Sequence, residues 1–160
     1  MFSRLIPSIS MDWGIVTPTI KKIGFDDVIF ASKNLDKYIL INTLNKEEQN
    51  ILIKGTIPFH LEEEKINNII DNIDFDKYKI VIYGKNSTDS TIETKYKQLK
   101  GLGFIELYVY YGGLFEWMLL QDIYGKDFFD ITVSSDIYEK GTINHTYIDI
   151  LYWKPVRFFI

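Results

Sequence analysis

Lys79-Ile80-Val81-Ile82-Tyr83-Gly84-Lys85-Asn86-Ser87-Thr88-Asp89-Ser90 holds the pattern on which the fold of this 160-residue chain turns. The run Lys79 to Tyr83 is apolar without alternation, as in a strand buried on both faces. It stops at Gly84, and seven small or polar residues carry the chain to Ser90. From Thr91 to Leu102 the apolar residues Ile92, Tyr96 and Leu99 return at helical spacing, and Gly101 and Gly103 stop the period. The segment therefore reads strand, loop, helix.

The same alternation extends outward on both sides. Upstream, Tyr38-Ile39-Leu40-Ile41 is a second buried-strand run, followed by the polar stretch Asn42 to Asn50. Lys54-Gly55 is a turn and Thr56-Ile57-Pro58 a short extended piece. Glu62 to Ile73 places Ile66, Ile69, Ile70 and Ile73 on one helix face. Phe25 to Lys33 suits a short helix, with Asp26 and Asp27 in the first turn, where the helix dipole favours anions. Downstream, Ile105 to Tyr110 reads as a strand, Gly112-Gly113 as a tight turn and Leu114 to Tyr124 as a helix. Strands alternating with helices through short connections imply an α/β fold, a doubly wound parallel sheet with helices on both faces. The ends differ. Residues 1–20, with Pro7, Gly14 and Pro18, read as an N-terminal arm. Residues 125–160 form a C-terminal extension with two apolar, β-prone stretches, Tyr147 to Leu151 and Val156 to Ile160, around Trp153-Lys154-Pro155. The chain is expected to be a single domain, 1–160, around a core at 23–124, without internal repeats.

Composition narrows the function. The chain is 46% hydrophobic and 25% charged, an ordinary globular balance. Its formal net charge of -4 argues against a phosphate-backbone partner, so no nucleic acid is expected. It contains no cysteine, which excludes disulfides, thiolate metal sites and thiol nucleophiles. No apolar run approaches the ~20 residues of a membrane helix, so no membrane association is expected. The start, Met1 to Pro7, is a poor secretory leader, and the expected setting is intracellular. The sequons at Asn86 and Asn144 then read as chance matches in an Asn-rich chain. Enrichment in Ile, Lys, Asn, Tyr and Phe matches A/T-rich codon usage and says little about function.

In open parallel sheets, ligands bind beyond the carboxyl ends of the strands. That points to the loop Gly84, Lys85, Asn86, Ser87, Thr88, Asp89 and Ser90. Its backbone N–H groups and the following helix N-terminus can cradle an anion. Around this loop, four motifs coincide in order with those of the rhodanese (sulfurtransferase) family. Ile39-Leu40-Ile41-Asn42-Thr43-Leu44 resembles the family's strand ending in an acidic-apolar-Arg triplet. Ile53-Lys54-Gly55-Thr56-Ile57-Pro58 resembles its Gly-Ala-Ile turn, and Ile80-Val81-Ile82-Tyr83 the strand that leads to its active-site loop. Leu102-Gly103-Phe104, then Gly112-Gly113-Leu114-Phe115 with Trp117, resembles its Gly-Phe, strand, Gly-Gly-Phe-x-x-Trp ending, the most specific of the four. The resemblance covers about Ile23 to Tyr124 and implies a rhodanese-like fold.

It also implies where the chemistry is lost. The family's sulfur carrier is a cysteine directly after the third strand, where this chain has Gly84. Glycine can form no covalent intermediate. The arginine that closes the family's loop corresponds to Asp89, whose carboxylate would repel thiosulfate or phosphate. The acidic-apolar-Arg triplet has become Asn42-Thr43-Leu44. Three independent losses point the same way.

Other groups offer little chemistry. Ser87 and Thr88 are hydroxyls without a recognisable base, since the two histidines, His60 and His145, stand in no evident relation to the loop. Lys85 is equally readable as an anion ligand or a solvated lysine. Gly84-Lys85 fails as a nucleotide P-loop, because the upstream glycine is missing and Asn86 replaces the hydroxyl. Gly112, Gly113 and Trp117 read as turn and core. Two isolated histidines make no metal site, and Asp122, Asp127, Asp130 and Asp136 read as solvated surface; neither metal nor cofactor is expected. The expected function is a catalytically inactive protein-binding or regulatory module, whose partner is another protein or a second copy of itself, with a small anion as candidate ligand of the loop. The alternatives are an enzyme that uses Lys85 with Ser87 in the same loop, and a structural component of a larger assembly.

Overall fold

The computed structural model describes residues 19–134; the arm before Thr19 and the aromatic stretches, Asp136, His145 and Asn144 beyond Ser134 lie outside the described residues. The elements, in chain order, are α1 (Phe25–Ser32), β1 (Tyr38–Asn42), a 3-10 turn (Lys46–Glu48), β2 (Ile51–Ile53), α2 (Phe59–Asn72), β3 (Lys79–Tyr83), α3 (Thr91–Gly101), β4 (Leu107–Tyr110), α4 (Gly113–Tyr124) and β5 (Ile131–Val133).

β3 lies at the centre of a parallel sheet, between β1 and β4, with Leu40 opposite Val81 and Ile82 opposite Val109. Each outer strand is joined by one further parallel bridge, Thr56 beside Leu40 and Lys22 beside Val109. Main-chain hydrogen bonds from Ile57 N–H to Leu40 (2.9 Å) and from Ile23 N–H to Val109 (3.0 Å) hold these margins.

The unbroken apolar runs have the meaning expected of them. Side chains alternate between two cores. Leu40, Val81, Tyr83 and Tyr110 point into one, covered by Val28 and Ala31 of α1 and by Leu114, Trp117 and Met118 of α4. Ile39, Ile41, Ile80, Ile82, Leu107 and Val109 point into the other, covered by Ile66 and Ile69 of α2 and by Ile92, Tyr96 and Leu99 of α3. The sheet is doubly wound, with two helices on each face.

The structure shifts several boundaries. α2 begins at Phe59, three residues before the expected Glu62, because Pro58 in extended backbone (φ -61°) serves as its N-cap. It ends before Ile73, which adopts a left-handed conformation (φ 56°) and is 78% exposed, so this residue leaves the apolar face assigned to it. β4 starts at Leu107, and Ile105 is exposed. A second sheet was not expected at all. β2 pairs antiparallel with β5, Leu52 opposite Thr132. Phe129 beside it is buried and packs against the Trp117 ring, 5.0 Å between centroids. Asp130 is more than solvated surface. Its carboxylate bonds Lys54 (3.1 Å), and its carbonyl accepts the Trp117 indole N–H (3.0 Å).

Candidate functional site

The loop Gly84–Ser90 lies beyond the carboxyl ends of β1 and β3, where a doubly wound sheet exposes its ligand-binding edge. It borders a cleft of about 200 Å³ shared with Thr43, Glu48 and Thr91. The loop is the one proposed from the sequence as a ligand site, and its own side chains line much of the cleft.

Gly84 is packed on three sides. A Cβ there would lie 2.6 Å from Asp89 Oδ2, 2.8 Å from Ile92 Cγ1 and 2.8 Å from Thr43 Oγ1. Its backbone is not in the left-handed region, so a side chain there would meet crowding, not backbone strain, and the three neighbouring side chains would have to shift. The neighbours come from three elements: the end of β1, the loop itself and the first turn of α3.

Asp89 does more than repel an anion. Its Oδ2 accepts the Lys85 N–H at 2.9 Å, and its Oδ1 accepts the Thr91 N–H at 3.0 Å. Thr91 Oγ1 lies 2.5 Å from Oδ1 and 2.8 Å from Thr43 Oγ1. Two of the amides expected to face a ligand, those of Lys85 in the loop and Thr91 at the helix N-terminus, are therefore bonded to the chain's own carboxylate. Asn86 satisfies the remainder of the turn, its side-chain oxygen accepting the Thr88 N–H (3.0 Å) and hydroxyl (2.8 Å). This is the Asx geometry that Asn favours.

Lys85 turns to Glu48, with which it forms an ion pair at the cleft wall. Nothing in the polar stretch Asn42 to Asn50 singled out Glu48 beforehand. Asn42, where the family triplet begins with an acid, is buried and accepts the Leu44 N–H (3.0 Å), a local cap on β1. His60 lies on α2, in a different groove. Among the described residues no group of three or more acidic or histidine side chains converges in a metal-binding cluster, and no helix is long and apolar enough to cross a membrane.

Gly112-Gly113 fixes the loop from the other side. The Leu114 and Phe115 N–H groups donate to the carbonyls of Gly84 (3.0 Å) and Lys85 (2.9 Å). Gly113 has φ 68°, and a Cβ there would meet the Gly84 carbonyl oxygen at 2.6 Å. Only glycine permits both the conformation and the approach. The amides of the first turn of α4 thus hold main chain rather than a ligand. In the core below, burial pushes the Tyr83 phenol above its ordinary value, while its bonds to Thr56 (2.6 Å) and the Ile53 N–H (3.1 Å) pull the other way. Burial first, and then the Glu116 carboxylate that accepts its proton at 2.6 Å, raises Tyr110.

No family model and no curated protein matches the chain. Its structure is similar to that of the As-Sb reductase from Leishmania major, with a TM-score of 0.50 and 16% identity over 77% of this chain and 99% of that one. It is also similar to a yeast protein tyrosine phosphatase of the rhodanese family, with a TM-score of 0.49 and 12% identity over 76% and 99% of the two chains. A single-domain sulfurtransferase of Saccharomyces cerevisiae gives a TM-score of 0.47 and 17% identity over 70% and 97%. At such identities the likeness bears on fold alone. The chain has a rhodanese-like α/β fold, and its sequence contains no cysteine.

Proposed function

We propose that this domain is a non-catalytic, intracellular rhodanese-like module that acts by binding a protein partner or a second copy of itself. The observation that carries the reading is the packing at Gly84. The position that resembles the nucleophile's has no side chain, and the side chains of Asp89, Ile92 and Thr43 fill the space that one would take. Asp89 also takes two of the amides that an anionic substrate would need. An enzyme that uses other groups of the loop finds less support: the Thr88 hydroxyl is bonded to Asn86, and Lys85 is ion-paired with Glu48. A small anion can use the loop only by displacing the Asp89 carboxylate. A role confined to scaffolding in a larger assembly has no specific observation in its favour.

The test is an activity screen of the purified chain. Sulfur transfer from thiosulfate or mercaptopyruvate to cyanide, aryl phosphate hydrolysis and arsenate reduction should each stay at the level of a heat-treated control. Gly84→Cys should be as inactive, because its thiol enters a crowded site beside a carboxylate. Turnover by the unmodified chain that is lost on changing Asp89 or Lys85 would overturn the reading.

A further inference from the structure

A cavity of about 500 Å³ lies between α3 and the margin of the main sheet, and it shares no lining residue with the cleft beside Gly84. Its lining follows from two local regularities. On α3, Glu93, Tyr96, Lys97 and Lys100 stand three, four and seven positions apart, so they share one helix face. At the sheet margin, Lys22 is bridged to Val109, and Tyr111 directly follows β4. Lys22, Lys97 and Lys100 thus border one space, against the single carboxylate of Glu93. Among the described residues none of these three lysines pairs with a carboxylate, whereas Lys21, Lys54, Lys85 and Lys95 each do. Lys22 and Lys100 lie over rings instead, 5.3 Å from the centre of Tyr111 and 5.9 Å from that of Tyr96. Tyr96 is buried, and Ile20 and Tyr111 are half-buried, which gives the cavity an apolar floor.

We propose that this cavity binds a small organic phosphate with a planar ring, of the size of a nucleoside monophosphate. Like charges at helical spacing repel, and the chain as a whole carries a net charge of -4, so this local excess of cations is relieved by an anion placed among them. One carboxylate would leave the excess uncompensated beside Glu93; a phosphate, with up to two charges, removes it. A bare phosphate would leave the floor of Ile20, Tyr96 and Tyr111 in water, and a ring covers it. The volume falls within the roughly 300–1,000 Å³ of small-molecule sites, while the cleft beside Gly84, at about 200 Å³, does not. The site is therefore separate from the loop after β3 and does not depend on what that loop can bind.

The test is a titration of the full, isotope-labelled chain with the four nucleoside 5′-monophosphates, followed by amide NMR. Contact between rings tolerates differences of base, so four probes cover the class. At least one should shift the amides of Lys22, Lys97 and Tyr111. It should bind at least ~10-fold more tightly than its own nucleoside and than inorganic phosphate. Lys97→Gln with Lys100→Gln should weaken it at least ~10-fold; both positions are exposed, and glutamine keeps the helix propensity of lysine. Lys33→Gln with Lys37→Gln removes the same charge at exposed positions near the end of α1 and should change affinity less than about twofold. Four nucleotides that leave these amides unmoved would overturn the proposal, as would shifts confined to Gly84–Ser90. A nucleoside that binds as well as its phosphate would remove the lysines from the site, and inorganic phosphate that binds as well would remove the rings; either overturns it. Equal losses in the two double variants would reduce the effect to overall charge and overturn it too.

Discussion

Asp89 satisfies its charge within its own loop, and this makes it the most informative single residue to change. In Asp89→Ala the N–H groups of Lys85 and Thr91 lose their acceptor. Hydrogen bonds to a charged group contribute about 1.5–3 kcal/mol each at most, so chemical denaturation should show a loss of about 2 kcal/mol. The vacated cradle should then take up an external anion. Calorimetry with thiosulfate or phosphate is expected to show at least ~10-fold tighter binding to Asp89→Ala than to the unmodified chain, as one added charge-assisted bond implies. Unchanged affinity would mean that the cradle keeps its shape only while Asp89 is present. That a loop follows β3, and that it carries a carboxylate at Asp89, were both legible in the sequence. The mechanism was not: a carboxylate that folds back on its own amides is indistinguishable, in a string of letters, from one that projects into the cleft. Lys85 was harder still, since Glu48, with which it pairs, lies 37 positions away in a stretch with no periodicity.

Among the elements, long unbroken apolar runs were the most legible. β3 spans Lys79–Tyr83 as its composition requires, and the helices over residues 59–101 carry their buried side chains at the expected spacing. The β2–β5 pair was illegible for a physical reason. Each strand is three residues long, and the two meet across about eighty positions, so neither presents a local signal. What binds this second sheet to the first is visible at Tyr83, whose hydroxyl accepts the Ile53 N–H. The phenols of Tyr83 and Tyr110 are both raised above the ordinary tyrosine value of 10.0. Below the unfolded value both states hold the proton, and the stability is fully present. As pH rises beyond about 10, the unfolded chain releases protons that the folded chain keeps, and stability falls by up to about 1.4 kcal/mol per pH unit for each phenol. Urea titrations between pH 8 and 11 should show this decline. Tyr83→Phe and Tyr110→Phe should each flatten it, and a profile unchanged by both would show that other groups govern alkaline unfolding.

For the molecule as a whole, the question is what a domain without cysteine presents to its surroundings. Truncation after Ile150 should leave the parallel core folded by circular dichroism, because the described residues of both cores lie between Ile20 and Val133. Light scattering should report an oligomeric state different from that of the full chain. A truncated protein that is unfolded would place residues 151–160 in the core instead, and one that associates as the full chain does would show that they have no part in assembly. The margins of the main sheet bear on how such assembly can proceed. Thr56 stands against Leu40 on one side and Lys22 against Val109 on the other, so the middle of each outer strand already has a neighbour. An incoming polypeptide would have to displace these neighbours before it could add itself as a strand against the middle of β1 or β4, which is the usual beginning of fibrous polymerisation. Among the described residues, that leaves the helical surfaces as the readier place of contact, where side chains make the contacts and can be altered one residue at a time.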